Sequence, residues 1–430
     1  MKKVAIHSLG CKVNSYEADM MRKKLTENGY IIVPFDQKAD VYIINTCSVT
    51  NIADRKTRQF LGRARNLNPD AVVVAAGCYV DTRGTEEDLG KIADITVVNR
   101  EKENIAGILN AYFNESSLPC NAKDEAPTHT RKIIKVQDGC NMFCTYCIIP
   151  YARGRIQSRK TEDVCEEIKA ACDEGFAEFV LTGIHICSYG LDRPEDGEDL
   201  STLIKEVSKI DKVKRIRLGS LEPKVVTEEF VKALSGIKKL CPHFHLSLQS
   251  GSDSVLKRMN RHYDTEEYLR GVELLRNTFG KCAITTDIIA GFPGETGEEF
   301  AETLEFVKKV RFYETHIFKY SRRRGTVADR MEGQLTEKVK AERSSLLQKM
   351  NIENKKRYID DFRDGTVCEM LTEEEITLNG KIYMTGFTRE YIRCAVPKRE
   401  GLHSNDTVYG TIGEDLGEDL VLLKEINVIE

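Results

Sequence analysis

The sequence predicts an α/β protein built in three parts: a parallel-sheet domain, then an incomplete (βα)6 barrel, then a small β-barrel. Three observations predict it. Short apolar runs alternate with helical patterns in two series, one ending near residue 113 and one starting near residue 131. A polar, proline-containing, aperiodic stretch, NESSLPCNAKDEAPTHT, separates the series. After residue 363 the helical patterns stop and short strands with turn residues follow one another.

In the first series KVAIHSL, DVYIINT and AVVVAA read as buried strands of a parallel sheet, each followed by a helical pattern such as Tyr16 to Asn28. DITVVN adds a fourth, so residues 1–113 are expected to form one domain and 114–130 a linker. In the second series IIKV, EFVLTG, VKRIRLG, HFHLSLQ, AITTDIIAG and THIFKYS give six strands separated by helical stretches such as Glu162 to Asp173 and Thr265 to Thr278. A charged helical segment from Leu335 to about Phe362 closes this central domain at 131–362. GTVCEML, GKIYMTGF, YIRCAVP, DTVYGTIG and DLVLLKEI then give the strands of a small barrel over 363–430.

Composition excludes several classes. At 430 residues the chain is too long for one ordinary core. With 41% hydrophobic and 31% charged residues it reads as globular rather than disordered. Its longest apolar runs, such as AVVVAAGCYV, fall far short of the ~20 residues of a membrane helix. Met1-Lys2-Lys3 leads into a strand rather than a signal core, so a cytoplasmic place away from membranes is expected. Fourteen cysteines in such a chain point to reduced thiols or metal ligands. The net charge of −4 argues against a generally basic nucleic-acid binder. Between Arg131 and Lys160, however, Arg131, Lys132, Lys135, Arg153, Arg155, Arg159 and Lys160 face only Asp138.

The most specific motif is CNMFCTYC, in which Cys140, Cys144 and Cys147 follow the first barrel strand with the spacing C-x3-C-x2-C. Three thiolates leave one position of a [4Fe–4S] cluster open to a small molecule. A zinc site short of one ligand, or three unrelated thiols, would also match the spacing but would need no barrel. The motif resembles that of the radical S-adenosylmethionine (SAM) superfamily, where the cofactor's amino and carboxylate groups take the open iron. Tyr146 matches that motif's aromatic position, whose backbone helps hold the adenine of the cofactor.

In such barrels chemistry sits at the carboxyl ends of the strands. Those ends carry Gly183 in LTGIHICSYG, Gln249, Ser250 and Gly251 in LQSGSD, and Gly291 and Gly294 in IAGFPGET, expected around one mouth where backbone approaches the cofactor. Each stretch alone is also what a strand-to-helix turn requires. In the first domain Cys11, Cys47 and Cys78 lie in SLGCKVN, INTCSVT and AAGCYVD, each just past a strand. Strand ends of a parallel sheet share an edge, so the three are expected to converge on a second three-thiolate site. For any one of them, burial as a small hydrophobe is the alternative. Cys120, Cys165, Cys172, Cys187, Cys241, Cys282, Cys368 and Cys394 show no matched spacing and read as structural.

Together with YARGRIQSR, LTGIHICSYG, LSLQSGSDSVLKRM and IAGFPGET, these features resemble the radical-SAM methylthiotransferase family over essentially the whole chain. The resemblance implies a radical-SAM core that is a (βα)6 partial TIM barrel, followed by a TRAM module, an OB-like RNA-binding barrel. It implies S-adenosyl-L-methionine and two [4Fe–4S] clusters as cofactors. The cluster on Cys140, Cys144 and Cys147 would generate a 5′-deoxyadenosyl radical that takes hydrogen from adenine C2. The auxiliary cluster on Cys11, Cys47 and Cys78 would carry sulfur methylated by a second S-adenosylmethionine. LGCKVN, with Lys12 and Val13 after the cysteine, resembles the branch acting on N6-threonylcarbamoyladenosine at position 37 of tRNA, beside the anticodon. Branches acting on isopentenyladenosine or on a ribosomal protein tend to carry other residues there. The partners implied are tRNA and a low-potential electron donor such as flavodoxin or ferredoxin, with a monomeric chain and a sulfur source that no motif identifies.

For RNA, Arg153, Arg155 and Arg159 beyond the first motif, and Arg322, Arg323 and Arg324 after the last barrel strand, are expected on one face as phosphate contacts. A solvated surface or a loop anchor would use the same residues. Phe387, Arg389, Tyr391 and Arg393 interleave aromatic and cationic groups, a pattern that suits base stacking and equally suits strand packing. The rival of another class is a non-catalytic Fe–S protein that binds RNA or senses redox state. A structural cluster would want a fourth cysteine, and neither triad has one nearby.

Overall fold

In the computed structural model, which describes residues 1–83, 87–114, 130–417 and 419–426, the first series of apolar runs forms one parallel sheet. Its strands β1 (Lys3–Ser8), β2 (Ile31–Val33), β3 (Val41–Thr46), β4 (Val72–Gly77) and β5 (Ile95–Val97) lie in the order β2-β1-β3-β4-β5. Both faces of β3 and β4 are buried, which is why VYIINT and VVVAAG read as unbroken apolar runs. The edge strand β2 is absent from the sequence reading because three residues are too few to carry a period. Helices α1 (Lys12–Glu27), α2 (Asn51–Leu67) and α3 (Cys78–Arg83) follow β1, β3 and β4. The stretch expected as a linker, 114–130, lies almost wholly outside the described residues.

The second series forms β6 (Arg131–Asp138), β7 (Gln157–Ser158), β8 (Glu178–Gly183), β9 (Arg215–Leu218), β10 (His243–His245), β11 (Ala283–Ala290) and β12 (Glu314–Lys319). β6, β8 and β9 pair in parallel, as do β10, β11 and β12. Parallel bridges at Ile216–Leu240 and Leu221–Leu246 join the two runs into the expected six-stranded incomplete barrel. The short β7 pairs antiparallel with the outer edge of β6. Each strand alternates. Ile134, Val136, Phe179, Leu181, Ile216, Leu218 and Phe244 face the surrounding helices in one core, so the positions between them, Lys135, Val180, Arg217 and His243 among them, face the lumen.

The helix Glu337–Asp360, N-capped by the Thr336 hydroxyl, leads to β13 (Val367–Leu378), β14 (Lys381–Thr388), β15 (Arg393–Pro397), β16 (Thr407–Gly417) and β17 (Leu420–Glu425). These close into a barrel in the order β13-β14-β15-β17-β16. It docks on the amino ends of the core strands. Arg215 donates to the Glu369 carbonyl at 2.8 Å and the Phe387 carbonyl at 2.9 Å, and Arg217 donates to the Thr388 carbonyl at 2.7 Å. Both guanidiniums share Glu178, whose side chain is 1% exposed. Burial opposes ionisation of Glu178, but Arg217, Arg131 and Arg215 outweigh it and hold the carboxyl down at about 2. The amino-terminal domain packs along β6 and β8 through α1 and reaches the segment after β12. After β12, Arg323 pairs with Asp54 of α2 at 2.6 Å, and Ser321 Oγ accepts from the Asn51 amide at 2.9 Å.

Candidate functional site

Cys11 caps the amino end of α1, Cys47 follows β3, and Cys78 opens α3 directly after β4. All three therefore lie on the carboxyl edge of the sheet, as the sequence predicts, close enough for each thiol to feel another's charge. The approach depends on Gly10. With φ at +97°, it passes so near Cys47 that a Cβ there would lie 2.6 Å from the Cys47 sulfur. Gly77, with φ at +98°, plays the same part before Cys78, with the Lys102 ammonium 2.7 Å from where its Cβ would be.

Beneath the triad lies a charge network that the sequence reading does not contain. The Glu17 side chain is 2% exposed and accepts from Lys102 Nζ at 2.6 Å and Arg153 Nη1 at 2.8 Å, with Lys135 Nζ at 3.4 Å. Arg153 also reaches Asp138 at 3.1 Å and Asn14 Oδ1 at 2.7 Å. Burial disfavours the Glu17 anion, but Lys102 and Arg153 outweigh it and hold the carboxyl well below the usual range. Asp81, which accepts from Asn99 Nδ2 at 2.8 Å, adds a third carboxylate, so three cations and three carboxylates meet beside the thiols. The signal was present in the sequence. Val13, Glu17, Met21 and Leu25 fall on one helical stripe, and a carboxylate within an apolar stripe needs a buried partner.

The second triad sits past β6. Cys140 and Cys144 are buried, and the thiols of Cys140, Cys144 and Cys147 also interact with one another. The loop is pinned by the Thr145 amide to the Met259 carbonyl at 3.0 Å and by the Ala328 amide to the Thr145 carbonyl at 2.8 Å. The Met142 amide donates to Cys140 Sγ at 3.4 Å, and Arg261 Nη1 to Cys144 Sγ at 3.1 Å. Arg261 is itself oriented by Glu222 at 2.9 Å. The two triads belong to neighbouring elements. The helix Ile149–Arg153 packs on α3, and Asn99 Nδ2 donates both to Cys78 Sγ at 3.5 Å and to the Ala152 carbonyl at 3.2 Å.

Burial pushes the thiols of Cys47 and Cys147 up to about 12. Such groups become thiolates only when a metal takes the proton's place. Their spacing tells which kind of metal group fits. A single tetrahedral zinc needs sulfurs about 3.8 Å apart, given Zn–S bonds of about 2.3 Å. Among the described residues only His245, Asp287 and His316, inside the core lumen, bring three ligand atoms within 4.8 Å of one another. Neither cysteine triad brings all three sulfurs within that distance of one another. Three thiols that leave a fourth position open are the donor set a [4Fe–4S] cluster with an open iron would use.

The remaining candidates divide. Tyr146 packs partly against Val255, Met259, Phe292 and Tyr320, beside the triad. Gln249 holds φ at +71° and bridges to Ile288 at the rim of the barrel, and Ser250 is buried against Thr303. Gly183 lies against Gln137, Gly251 against Thr303 and Phe306, and Gly291 against Lys340, so chain packing already accounts for these three glycines. Gly294 donates its amide to the Gly333 carbonyl at 2.9 Å, and the Arg258 guanidinium approaches it.

Several arginines expected on an RNA-facing surface are turned inward. The Arg153 and Arg323 side chains are 1% and 2% exposed and neutralise Glu17 and Asp54. Arg159 is half-buried on Glu167. Arg322 pairs with Asp329 at the surface, Arg324 is exposed, and Arg155 lies over the Phe143 ring at 4.7 Å with the exposed Tyr151 beside it. Phe387, Arg389 and Tyr391 serve the domain interface. Tyr391 stacks on His243 at 3.9 Å and on Phe387 at 4.9 Å, Arg131 and Arg217 lie over these rings, and Arg389 donates to the Leu240 carbonyl. Alternating aromatic and cationic residues here pack protein on protein. Arg393, next to Glu374, remains half-exposed.

An incomplete six-stranded barrel with an open-ligand thiol triad beyond its first strand defines a radical-SAM enzyme, and the model of the radical SAM superfamily matches residues 134–307. That of uncharacterized protein family UPF0004 matches residues 3–98. The chain belongs to the methylthiotransferase family of radical-SAM enzymes, whose cofactors are a [4Fe–4S] cluster and S-adenosylmethionine. The Bacillus subtilis protein named threonylcarbamoyladenosine tRNA methylthiotransferase MtaB is 39% identical over 418 residues, covering 94% of this chain and 92% of its own. The Acetivibrio thermocellus protein named tRNA-2-methylthio-N(6)-dimethylallyladenosine synthase is 35% identical over 408 residues, covering 90% and 84%. Among solved structures, the radical S-adenosylmethionine methyltransferase TsrM of Kitasatospora setae shares the fold with a TM-score of 0.55 at 15% identity, over 74% of this chain and 73% of that one. No helix among the described residues is long and apolar enough to cross a membrane.

Proposed function

We propose that this enzyme methylthiolates C2 of N6-threonylcarbamoyladenosine at position 37 of tRNA, with one [4Fe–4S] cluster on Cys140, Cys144 and Cys147 and an auxiliary one on Cys11, Cys47 and Cys78. The observation that carries this reading is the pair of three-thiol groups on neighbouring elements of two α/β units. The relatives' names support the substrate: those acting on threonylcarbamoyladenosine reach 39% identity and those acting on dimethylallyladenosine 36%.

Bound at these triads, the clusters and S-adenosylmethionine supply a carbon radical able to take hydrogen from adenine C2, and the sulfur and methyl groups of the new bond. The chain's own residues prepare that chemistry. Met142 N–H, Arg261 and Asn99 donate to the sulfurs of Cys140, Cys144 and Cys78, and such bonds would stabilise the electron-rich state of a cluster held there. The Glu17, Lys102, Arg153 and Lys135 network sets the charge beside the auxiliary site. Tyr146 and the Gln249–Ser250 rim lie where S-adenosylmethionine is read to bind.

The domains are read as 1–113, 131–362 and 363–430, with the last a TRAM-type module. Because its Phe387–Tyr391 face is committed to the core, tRNA is assigned to the opposite face and to Tyr151 and Arg155, exposed around Phe143 beside the Cys140 triad. The chain is read as a cytoplasmic monomer served by a flavodoxin or ferredoxin. Nucleoside analysis of tRNA from a deletion strain tests the substrate: the methylthio form of threonylcarbamoyladenosine disappears, and its persistence refutes the reading.

A further inference from the structure

We propose that Lys12 binds the carboxylate of the threonyl group on the substrate adenosine and thereby selects this base over one with an apolar N6 substituent. The inference rests on the substrate reading above and assigns a residue to it.

A cavity of about 720 Å³ opens where the three parts of the chain meet, lined among others by Lys12 of α1, Ile133, Val180 and Arg217 of the core lumen, and Tyr391 of the carboxyl-terminal barrel. Its acids are already matched. Asp19 pairs with Arg22 at 2.6 Å, Glu373 with Arg131, and Glu374 lies 3.9 Å from Arg393. Arg217 is held by Glu178 and by carbonyls of the carboxyl-terminal barrel. The side chain of Lys12 is exposed to the cavity, and among the described residues no carboxylate lies within ion-pair distance of it.

The surroundings of Lys12 favour an anion. The guanidiniums of Arg131 and Arg217 line the same cavity, both already held by Glu178. His243, in the same lining, is kept neutral by burial and by Arg217. A carboxylate entering the cavity therefore meets an unmatched cation in a positive field and displaces no existing partner.

Position in the chain supplies the rest. Lys12 follows Cys11, a proposed ligand of the sulfur-bearing cluster. In adenine, C2 and C6 flank N1, and C6 carries N6. A base that presents C2 toward the Cys11 triad therefore carries its N6 substituent on the adjoining edge, and Lys12 lines the cavity next to that triad. Threonylcarbamoyl ends in a carboxylate there. Dimethylallyl offers nothing that an ammonium can bind.

The test uses the full-length holoenzyme and anticodon stem-loops bearing N6-threonylcarbamoyladenosine, its carboxamide analogue, adenosine or dimethylallyladenosine at the target position. Lys12→Gln should weaken binding of the carboxylate form by about ten- to a hundredfold, as loss of a charge-assisted hydrogen bond does, and move the carboxamide form by less than about twofold. Lys12→Arg should restore most of the loss, and unchanged carboxamide binding shows that the variant folds. Equal weakening of every form would place Lys12 on the RNA backbone and overturn the proposal, as would no weakening at all. If the wild type itself binds the dimethylallyl form best, the substrate reading fails, and the assignment of Lys12 with it.

Discussion

Gly10 offers the sharpest test of how the auxiliary site is built. An alanine there suffers twice. Its φ of +97° is one that L side chains rarely adopt, costing about 1–2 kcal/mol. Its Cβ would also stand 2.6 Å from Cys47 Sγ and 2.7 Å from Cys47 Cβ, where ordinary contact begins at 3.4 Å. Cys47 must therefore retreat by nearly 1 Å, several times the tolerance of about 0.2 Å in metal–ligand distances. The strain is small against the stability of a chain this size, so Gly10→Ala should fold. It should lose the auxiliary cluster and keep the other. Anaerobic reconstitution should then give about four iron atoms per chain where the wild type takes about eight. About eight irons in Gly10→Ala would refute the claim that this close approach places Cys47.

Other expectations follow from the same geometry. Removing Cys144 should likewise halve the iron, but from the core site, and should abolish 5′-deoxyadenosine formation from S-adenosylmethionine, as a product assay would show. Glu17→Gln leaves Lys102 and Arg153 buried without their counter-charge and should destabilise the amino-terminal domain by about 3–5 kcal/mol, read from urea midpoints. Glu178 titrates near 2 when folded, below its unfolded value, so its contribution is complete above about pH 4.5 and fades as pH falls toward 2. That contribution is on the order of 3 kcal/mol. Amide exchange in β13–β17 should therefore rise over this window in the wild type, and Glu178→Gln should exchange quickly already at pH 7.

Much of this was legible in the sequence because it depends on local order. Cys11, Cys47 and Cys78 each end a strand run, and parallel strands share an edge, so convergence followed from pattern alone. The six core strands were legible for the same reason, each being an apolar run with a turn after it. The role of a charge was not legible. Arg153 and Arg155 sit two positions apart in one basic patch, yet Arg153 is buried on Glu17 and Arg155 is exposed over Phe143. Which of the two turns inward depends on α1, more than a hundred residues away. Similarly, the alternation from Phe387 to Arg393 reads as one strand, whereas residues 389–392 form the turn between β14 and β15, and what that turn packs on was not legible either. The core strands receive it through Arg131, Arg217 and His243. Glycine was ambiguous in another way. Gly251 and Gly291 are required by neighbouring chain, Thr303 and Lys340, at the same strand ends where a cofactor was expected to require them.

The Gly10 turn also bears on how the auxiliary site is assembled. Its backbone lies against Cys47 with no room for a side chain. Chain packing therefore sets how the entry to α1 approaches the end of β3, and loading the site asks the three thiols to give up protons and not the strands to move.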